Sequence, residues 1–164
     1  ALGWEGGHRG TGGDAQFCPP MSVQLLTLGI QLIEGYAADQ LKLPYIYVRP
    51  KPKEHGLGNQ IEGFYEKGQK VVVIEDLVST GKSSLQVVDV LKDQGLEVIG
   101  MVSIFTYGFT VATEAFSKAS LTYYSLTDYP TLIESAVQKG IVSEGQQDIL
   151  LKWRDDPANW KGVS

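Results

Sequence analysis

Apolar residues recur with helical spacing over residues 21–41, and this spacing predicts a first helix there. Two glycines inside the stretch, Gly29 and Gly35, lower its helix propensity, and Pro44 follows its end. Residues 45–48 are β-branched and aromatic, which is typical of a strand. The first part of the pattern therefore predicts a helix followed by a strand.

The continuous apolar run at residues 71–74 is the strongest strand signal, because a strand buried on both faces of a parallel sheet needs no polar alternation. A polar turn is predicted over residues 75–84, followed by an amphipathic helix that ends before Gly95. The same reasoning predicts two more strands and three more helices; the strands are 98–105 and 121–124, and the helices are 112–117, 131–139 and 143–153. Thr127 or Asp128 would cap the helix at 131–139, and Ser143 the last one.

Strands that alternate with helices predict an α/β domain with a mainly parallel sheet and helices on both faces. Ligands of such sheets bind beyond the carboxyl ends of the strands. The candidate functional loops are therefore those that follow Val48, Ile74 and Phe105.

The first 20 residues differ in composition from the rest. Six of them are glycine, and they show neither the period of a strand nor that of a helix. We expect residues 1–20 to form a flexible N-terminal arm and residues 21–164 to form a single domain.

The composition of the 164-residue chain, 43% hydrophobic and 20% charged, is typical of a globular protein. A net charge of -5 disfavours broad electrostatic binding to nucleic acid. Cys18 is the only cysteine, and His8 and His55 are the only histidines, so the sequence lacks an intrachain disulfide and Cys/His zinc spacing. Because neither a membrane-length apolar run nor a secretory signal pattern is present, we expect a cytoplasmic protein with neither nucleic-acid nor membrane partners.

The segment that follows the strand at 71–74 carries the most specific chemistry. Two acids, Glu75 and Asp76, precede a turn of small residues and the start of a helix, whose free N–H groups bind anions. A ribose 5-phosphate fits both features, because its phosphate can lie in the turn and its hydroxyls on the acids. The turn adds hydroxyl donors from Ser79, Thr80, Ser83 and Ser84.

The segment 75–84 also resembles two other kinds of structure. Gly81-Lys82-Ser83 is similar to the end of a Walker A loop, but that motif needs a glycine where Asp76 stands, so we reject an ATP-binding loop. An ordinary strand–turn–helix connection with a polar surface remains open.

A second cluster of cations lies in the loop that follows the strand at 45–48. Arg49, Lys51, Lys53 and His55 fall within seven residues, and the prolines between them keep the backbone extended. This pattern suits an arm that closes over a polyanion such as pyrophosphate. A solvated charged loop is the alternative.

Together these segments resemble the type I phosphoribosyltransferases, and within them the orotate phosphoribosyltransferases. Residues 75–84 are similar to the family's phosphoribosyl-binding signature, and residues 49–56 to the flexible catalytic loop of the orotate branch. The resemblance extends from about Gly35 to the C-terminus, through residues 104–109 and 153–160. It implies a type I phosphoribosyltransferase-like, Rossmann-like core.

The resemblance also implies an activity: Mg²⁺-dependent transfer of phosphoribosyl from phosphoribosyl pyrophosphate (PRPP) to orotate, giving orotidine 5′-monophosphate and pyrophosphate in UMP synthesis. It implies a homodimer whose catalytic loop serves the neighbouring site. No residue is assigned as a direct ligand of the metal. The implied catalytic residues are Arg49, Lys53, His55 and Asp76. The implied PRPP-binding residues are Arg49, Lys51, Lys53, His55, Glu75, Asp76, Ser79, Thr80, Gly81, Lys82 and Ser83, with Ser79 and Tyr107 for orotate.

Three segments depart from the family pattern. Residues 1–20 do not resemble the family's N-terminal substrate-binding segment, and bulky residues occupy much of the stretch 26–34 where a small-residue pyrophosphate loop is expected. Tyr107-Gly108 stands where many members have an arginine for orotate, and a core aromatic is the other interpretation of Tyr107. These departures leave open a non-catalytic relic or regulator that binds PRPP or a nucleotide. A purine phosphoribosyltransferase is disfavoured by the loop sequence at 51–56.

Overall fold

The computed structural model describes residues 22–25, 31–49 and 60–161, with side chains from Ile33 onward. The predicted arm at residues 1–20 and the basic residues Lys51, Lys53 and His55 lie outside the described residues. A single domain over residues 21–164 therefore stays a prediction. No helix in the described part is long and apolar enough to cross a membrane.

The described chain contains a six-stranded sheet in the order β3-β2-β1-β4-β5-β6. All neighbouring strands pair in parallel except β2 and β3, which are antiparallel at one edge. This arrangement confirms the predicted α/β class with a mainly parallel sheet. The strands are β1 Ser22–Leu25, β2 Tyr45–Val48, β3 Ile61–Glu62, β4 Lys70–Val78, β5 Glu97–Thr106 and β6 Tyr123–Asp128.

Helices lie on both faces of the sheet. They are α1 Gln31–Leu41, α2 Lys82–Asp93, α3 Thr110–Lys118, α4 Tyr129–Gln138 and α5 Glu144–Asp155, followed by a 3-10 turn at Pro157–Asn159. Alternate residues of β2 and β4 form the main core with α2 and α3, through residues such as Val48, Val73, Val88, Leu91 and Phe116. The side chain of Tyr45 must point to the opposite face from the core residue Ile46, and it contacts α1 there.

The predicted helix over residues 21–41 is wrong in its first part. Residues 22–25 form β1 in the middle of the sheet, where Val23 pairs with Tyr45 on one side and Val72 on the other. The later part of the prediction is confirmed by α1 at Gln31–Leu41, and residues 26–30 lie outside the described residues. The segment Ser-Val-Gln-Leu is compatible with the period of a helix and with that of a strand. It forms a strand because its backbone can hydrogen-bond to a parallel strand on each side.

The predicted polar turn at 75–84 is also too long. Strand β4 continues through both acids to Val78, because Leu77 and Val78 pair with Phe105 and Thr106 of β5. The turn is limited to residues 79–81. The predicted strand at 121–124 likewise begins and ends too early. Strand β6 is Tyr123–Asp128, because it pairs with β5 as far as Asp128.

The residues predicted to cap or end three helices are confirmed. Asp128 caps α4, because its side chain accepts a hydrogen bond from the backbone N–H of Thr131. Ser143 caps α5 through a capping box with Gln146. Gly95 follows the end of α2 with a φ of 82°, a conformation that glycine adopts without steric cost.

Candidate functional site

The centre of the candidate site is the turn between β4 and α2 together with the first two residues of α2. We call this segment, residues 79–83, the phosphate turn. Gly81 precedes α2 with a φ of 75°, and no described side chain caps the helix. The N–H groups of the first helical turn are therefore available to an anion, and the helix dipole favours one. Thr80, Lys82 and Ser83 are exposed around these groups, and Ser79 is half-buried.

The acid pair Glu75–Asp76 lies on the same strand, just before the phosphate turn. The Asp76 side chain is exposed, and its Oδ1 accepts a hydrogen bond of 2.7 Å from the backbone N–H of Leu77. Glu75 is only 2% exposed, and its Oε1 has no hydrogen-bond partner among the described residues. Burial raises the pKa of Glu75 to about 7, against the opposing effect of a hydrogen bond with Ser84.

The structure corrects one predicted hydroxyl donor. Ser84 is 1% exposed and hydrogen-bonds to Glu75. Its side chain therefore supports the buried acid from α2 rather than facing a ligand in the turn. Lys82 and Ser83, one and two residues earlier, remain exposed.

A third carboxyl, Glu34 in the first turn of α1, was missed by the sequence analysis. It is fully buried, and its Oε2 accepts a hydrogen bond of 3.3 Å from the Tyr45 hydroxyl, while Oε1 is unpaired among the described residues. Burial, which has the largest effect, and the charges of Glu75 and Asp76 together raise the pKa of Glu34 to about 8, in opposition to the hydrogen bond from Tyr45. The signal available in the sequence was a lone acid inside an apolar helical stretch.

The residues described here do not contain a group of three side chains that could hold a metal ion by themselves. Mg²⁺ is commonly bound through one or two carboxylates together with substrate phosphates. The unpaired Glu75 Oε1 and the exposed Asp76 carboxylate suit that mode. The site therefore fits a metal that arrives with a polyphosphate ligand.

The turn after β5 lies directly beside the phosphate turn. The backbone N–H of Tyr107 donates to the carbonyl of Val78 at 3.1 Å. The Thr106 hydroxyl also donates to Val78, at 3.3 Å, and accepts from the N–H of Gly108 at 3.0 Å. The two loops predicted from strand ends are thus joined at Val78.

The ring of Tyr107 is part of an aromatic cluster. It stacks on Phe109 at 5.2 Å and meets Phe105, Tyr129 and Trp153 at centroid distances of 5.4, 5.8 and 5.7 Å. These contacts favour the interpretation of Tyr107 as a core aromatic at a strand end. A contact between Tyr107 and a base stays a prediction.

Arg49 is the one member of the predicted basic loop that the structure describes. Its Nε donates to Glu62 at 2.7 Å, and both side chains are partly exposed. Its backbone N–H donates to the carbonyl of Gln60 at 2.8 Å, and its carbonyl accepts from the Gln60 side chain at 2.9 Å. Residues 49 and 60 thereby bring the two ends of the loop together beside β2.

The structure thus brings Glu75, Asp76 and the phosphate turn together at the carboxyl edge of a parallel sheet. In α/β proteins with a parallel sheet, this edge is where ligands bind, and the geometry is typical of that class. Residues 24–127 match the sequence profile of the phosphoribosyl transferase domain. The match covers more than half of the chain, and the chain belongs to this family.

Relatives and solved structures agree with this assignment. An orotate phosphoribosyltransferase of Cytophaga hutchinsonii is 51% identical over 124 residues, which are 76% of this chain and 59% of the relative. The crystal structure of orotate phosphoribosyltransferase from Aeropyrum pernix aligns with a TM-score of 0.63 and 28% identity, over 73% of this chain and 66% of the other.

The orotate phosphoribosyltransferase of Mycobacterium tuberculosis H37Rv, solved in complex with PRPP, aligns with a TM-score of 0.54 and 29% identity, over 66% of this chain and 62% of that chain. The type I phosphoribosyltransferase fold expected from the sequence is confirmed. The chain spans about three fifths of the length of the curated relatives it matches.

Proposed function

We propose that this chain carries the phosphoribosyl-transfer site of an orotate phosphoribosyltransferase, which forms orotidine 5′-monophosphate from PRPP and orotate in UMP synthesis. The observation that carries the proposal is the uncapped phosphate turn directly after the acid pair on β4. Relatives named for this activity, about half identical in sequence, support it.

In this proposal the 5′-phosphate of PRPP lies in the phosphate turn. The free N–H groups of the first turn of α2 donate to its oxygens, with Thr80, Lys82 and Ser83 around it. The ribose hydroxyls donate to Glu75 and Asp76, because an ionised carboxylate can only accept hydrogen bonds. Burial raises the pKa of Glu75 to about 7, and a proton on this carboxyl would occupy one of its acceptor sites.

Transfer forms a bond between a ring nitrogen of orotate and C1 of the ribose, and the proton of this nitrogen passes to solvent or to the departing pyrophosphate. The bond between C1 and the pyrophosphate oxygen breaks, and its electron pair leaves with pyrophosphate. The ribose passes through an oxocarbenium-like state, so charge stabilisation replaces a protein nucleophile. Arg49, Lys51, Lys53 and His55 would stabilise the departing pyrophosphate by hydrogen bonds to charged oxygens.

Mg²⁺, when bound with PRPP, would neutralise part of the pyrophosphate charge, and the acid pair would hold this complex on its ribose side. The residues Ser79 and Tyr107 would lie on the base side, since both follow strands at the same edge of the sheet. We also propose a homodimer that shares the loop at 49–56 between sites, and a cytoplasmic location. Light scattering would report twice the mass of the chain if the dimer forms.

A base-competition assay tests this function. PRPP, Mg²⁺ and equimolar orotate, adenine and guanine are incubated with the protein, and the nucleotide products are separated by chromatography. We expect orotidine 5′-monophosphate as the dominant product, lost in Asp76→Ala and retained in the control Asp89→Ala, which removes an exposed acid on α2. A purine nucleotide as the main product would contradict the proposed base, and PRPP binding without any nucleotide would contradict catalysis.

A further inference from the structure

The side chain of Arg154, near the end of α5, reaches the turn between β5 and α3. Its Nε donates to the carbonyl of Tyr107 at 2.9 Å, and its Nη2 donates to the carbonyl of Gly108 at 2.8 Å. The side chain is 28% exposed, so both bonds are largely sheltered from solvent. One planar guanidinium thus holds two consecutive carbonyls that lie 47 and 46 residues earlier in the chain.

The backbone at Gly108 is shaped to receive this guanidinium. Gly108 has a φ of 66°, and a Cβ added there would lie 3.1 Å from Nη2 of Arg154. A side chain at this position would therefore be strained and would also press on the guanidinium. On the same helix, Trp153 packs edge-on against the rings of Tyr107 and Phe109. Helix α5 thus fixes the turn by a polar and an aromatic contact together.

The turn held by Arg154 lies beside the phosphate turn. The N–H of Tyr107 and the hydroxyl of Thr106 both donate to the carbonyl of Val78, the last residue before Ser79. These bonds are made by Thr106 and Tyr107 themselves and do not involve the carbonyls that Arg154 holds. Among the described residues, Arg154 is the side chain that donates hydrogen bonds to the carbonyls of Tyr107 and Gly108.

We propose that Arg154 is a positioning residue, which holds the β5–α3 turn at the base side of the phosphoribosyl site through its bonds to Tyr107 and Gly108. The inference rests on the proposed function for the identity of the base. The positioning role requires a guanidinium at residue 154, because the ammonium of a lysine is a point charge and cannot present two coplanar N–H groups to neighbouring carbonyls.

The test uses Arg154→Gln, which removes the charge, and Arg154→Lys, which keeps it. Lys152→Gln is the matched control, since it removes an exposed charge from the same helix. Asp155→Asn is a second control, because it removes the 3.7 Å ion pair of Arg154 without touching the carbonyl bonds. Steady-state kinetics give KM separately for orotate and PRPP, and hydrogen exchange reports the amides of residues 107–109 without substrate.

We expect both Arg154 variants to raise the KM for orotate about tenfold, the effect of losing one charge-assisted bidentate contact, with the KM for PRPP changed less than about twofold. Exchange at residues 107–109 should accelerate in both variants and stay unchanged in both controls. Full rescue by Arg154→Lys, or an equal rise of both KM values, would overturn the proposal.

The exchange experiment separates this inference from the proposed function. If the unmodified protein forms no product, the proposed function fails on that result alone. Exchange that is unchanged in Arg154→Gln would then still overturn the positioning role, and acceleration confined to residues 107–109 would support it.

Discussion

Gly81 packs against the ring of Phe116 so closely that a Cβ added to Gly81 would lie 2.6 Å from two ring carbons. Phe116 is a buried residue of α3, and Gly81 is the residue that precedes α2. The phosphate turn therefore packs directly against the core, and its backbone conformation depends on the absence of a side chain at Gly81.

Replacing Gly81 by alanine should destabilise the protein more than the same change at a glycine with equal backbone strain. Gly68 is that control, because its φ is 81° and a Cβ there would have no atom within 4 Å. We expect Gly68→Ala to cost about 1 kcal/mol of unfolding free energy from its φ alone, and Gly81→Ala about 3 kcal/mol, since the clash with Phe116 adds to it. Urea unfolding measures both values, and equal losses would contradict the close contact.

Glu34 should make the protein less stable as the pH rises. Its pKa is about 8 in the folded chain against an ordinary 4.5, so between these values the folded state holds a proton that the unfolded state has lost. The stability that comes from the protonated Glu34 is therefore complete below pH 4.5. It is lost as the pH rises towards 8, at about 1.4 kcal/mol of unfolding free energy per pH unit.

Glu34→Gln removes the titrating group, and with it the loss of stability at high pH, while keeping an acceptor for the Tyr45 hydroxyl. We expect the variant to be more stable than the unmodified protein by about 2–4 kcal/mol at pH 8, with a difference that shrinks towards pH 5. Thermal unfolding across this range measures the difference, with Glu114→Gln on the exposed face of α3 as the control. A gain that does not depend on pH would contradict the raised pKa.

Asp76→Ala should weaken PRPP binding by about 1–3 kcal/mol, the effect of losing a hydrogen bond from a ribose hydroxyl to a carboxylate. Isothermal titration in Mg²⁺ measures the affinity, and the control Asp89→Ala removes another exposed acid, from α2. Affinities that match in the two variants would show that Asp76 does not contact the ribose.

Lys53→Ala should lower kcat much more than it lowers the affinity for PRPP. The proposed contact of Lys53 strengthens as charge develops on the departing pyrophosphate, so its loss affects the transition state more than the ground state. Single-turnover rates and titration on the same variant give the two quantities, and Lys92→Ala on α2 is the control. A similar loss in rate and in affinity would assign Lys53 to ground-state binding.

The sequence predicted the elements whose signals are local. The apolar run at 71–74 and the caps Asp128 and Ser143 needed only neighbouring residues, and all three were confirmed. The acid pair and the phosphate turn could be placed together for the same reason, since they follow one strand without interruption.

The features that were missed depend on partners far along the chain. Strand β1 is decided by its two neighbours in the sheet, because four residues carry too little periodicity to separate strand from helix. Strand β4 runs past its apolar part because β5 pairs with it as far as Thr106. The contact of Arg154 with Gly108 spans 46 residues, so no local pattern could indicate it.

Phosphoribosyl transfer is tested most directly by following both products in one mixture of protein, PRPP, Mg²⁺ and orotate. We predict that orotidine 5′-monophosphate and pyrophosphate form in equal amounts, and that neither forms when orotate is left out. Binding of PRPP with neither product would contradict phosphoribosyl transfer and leave a protein that only binds this ligand.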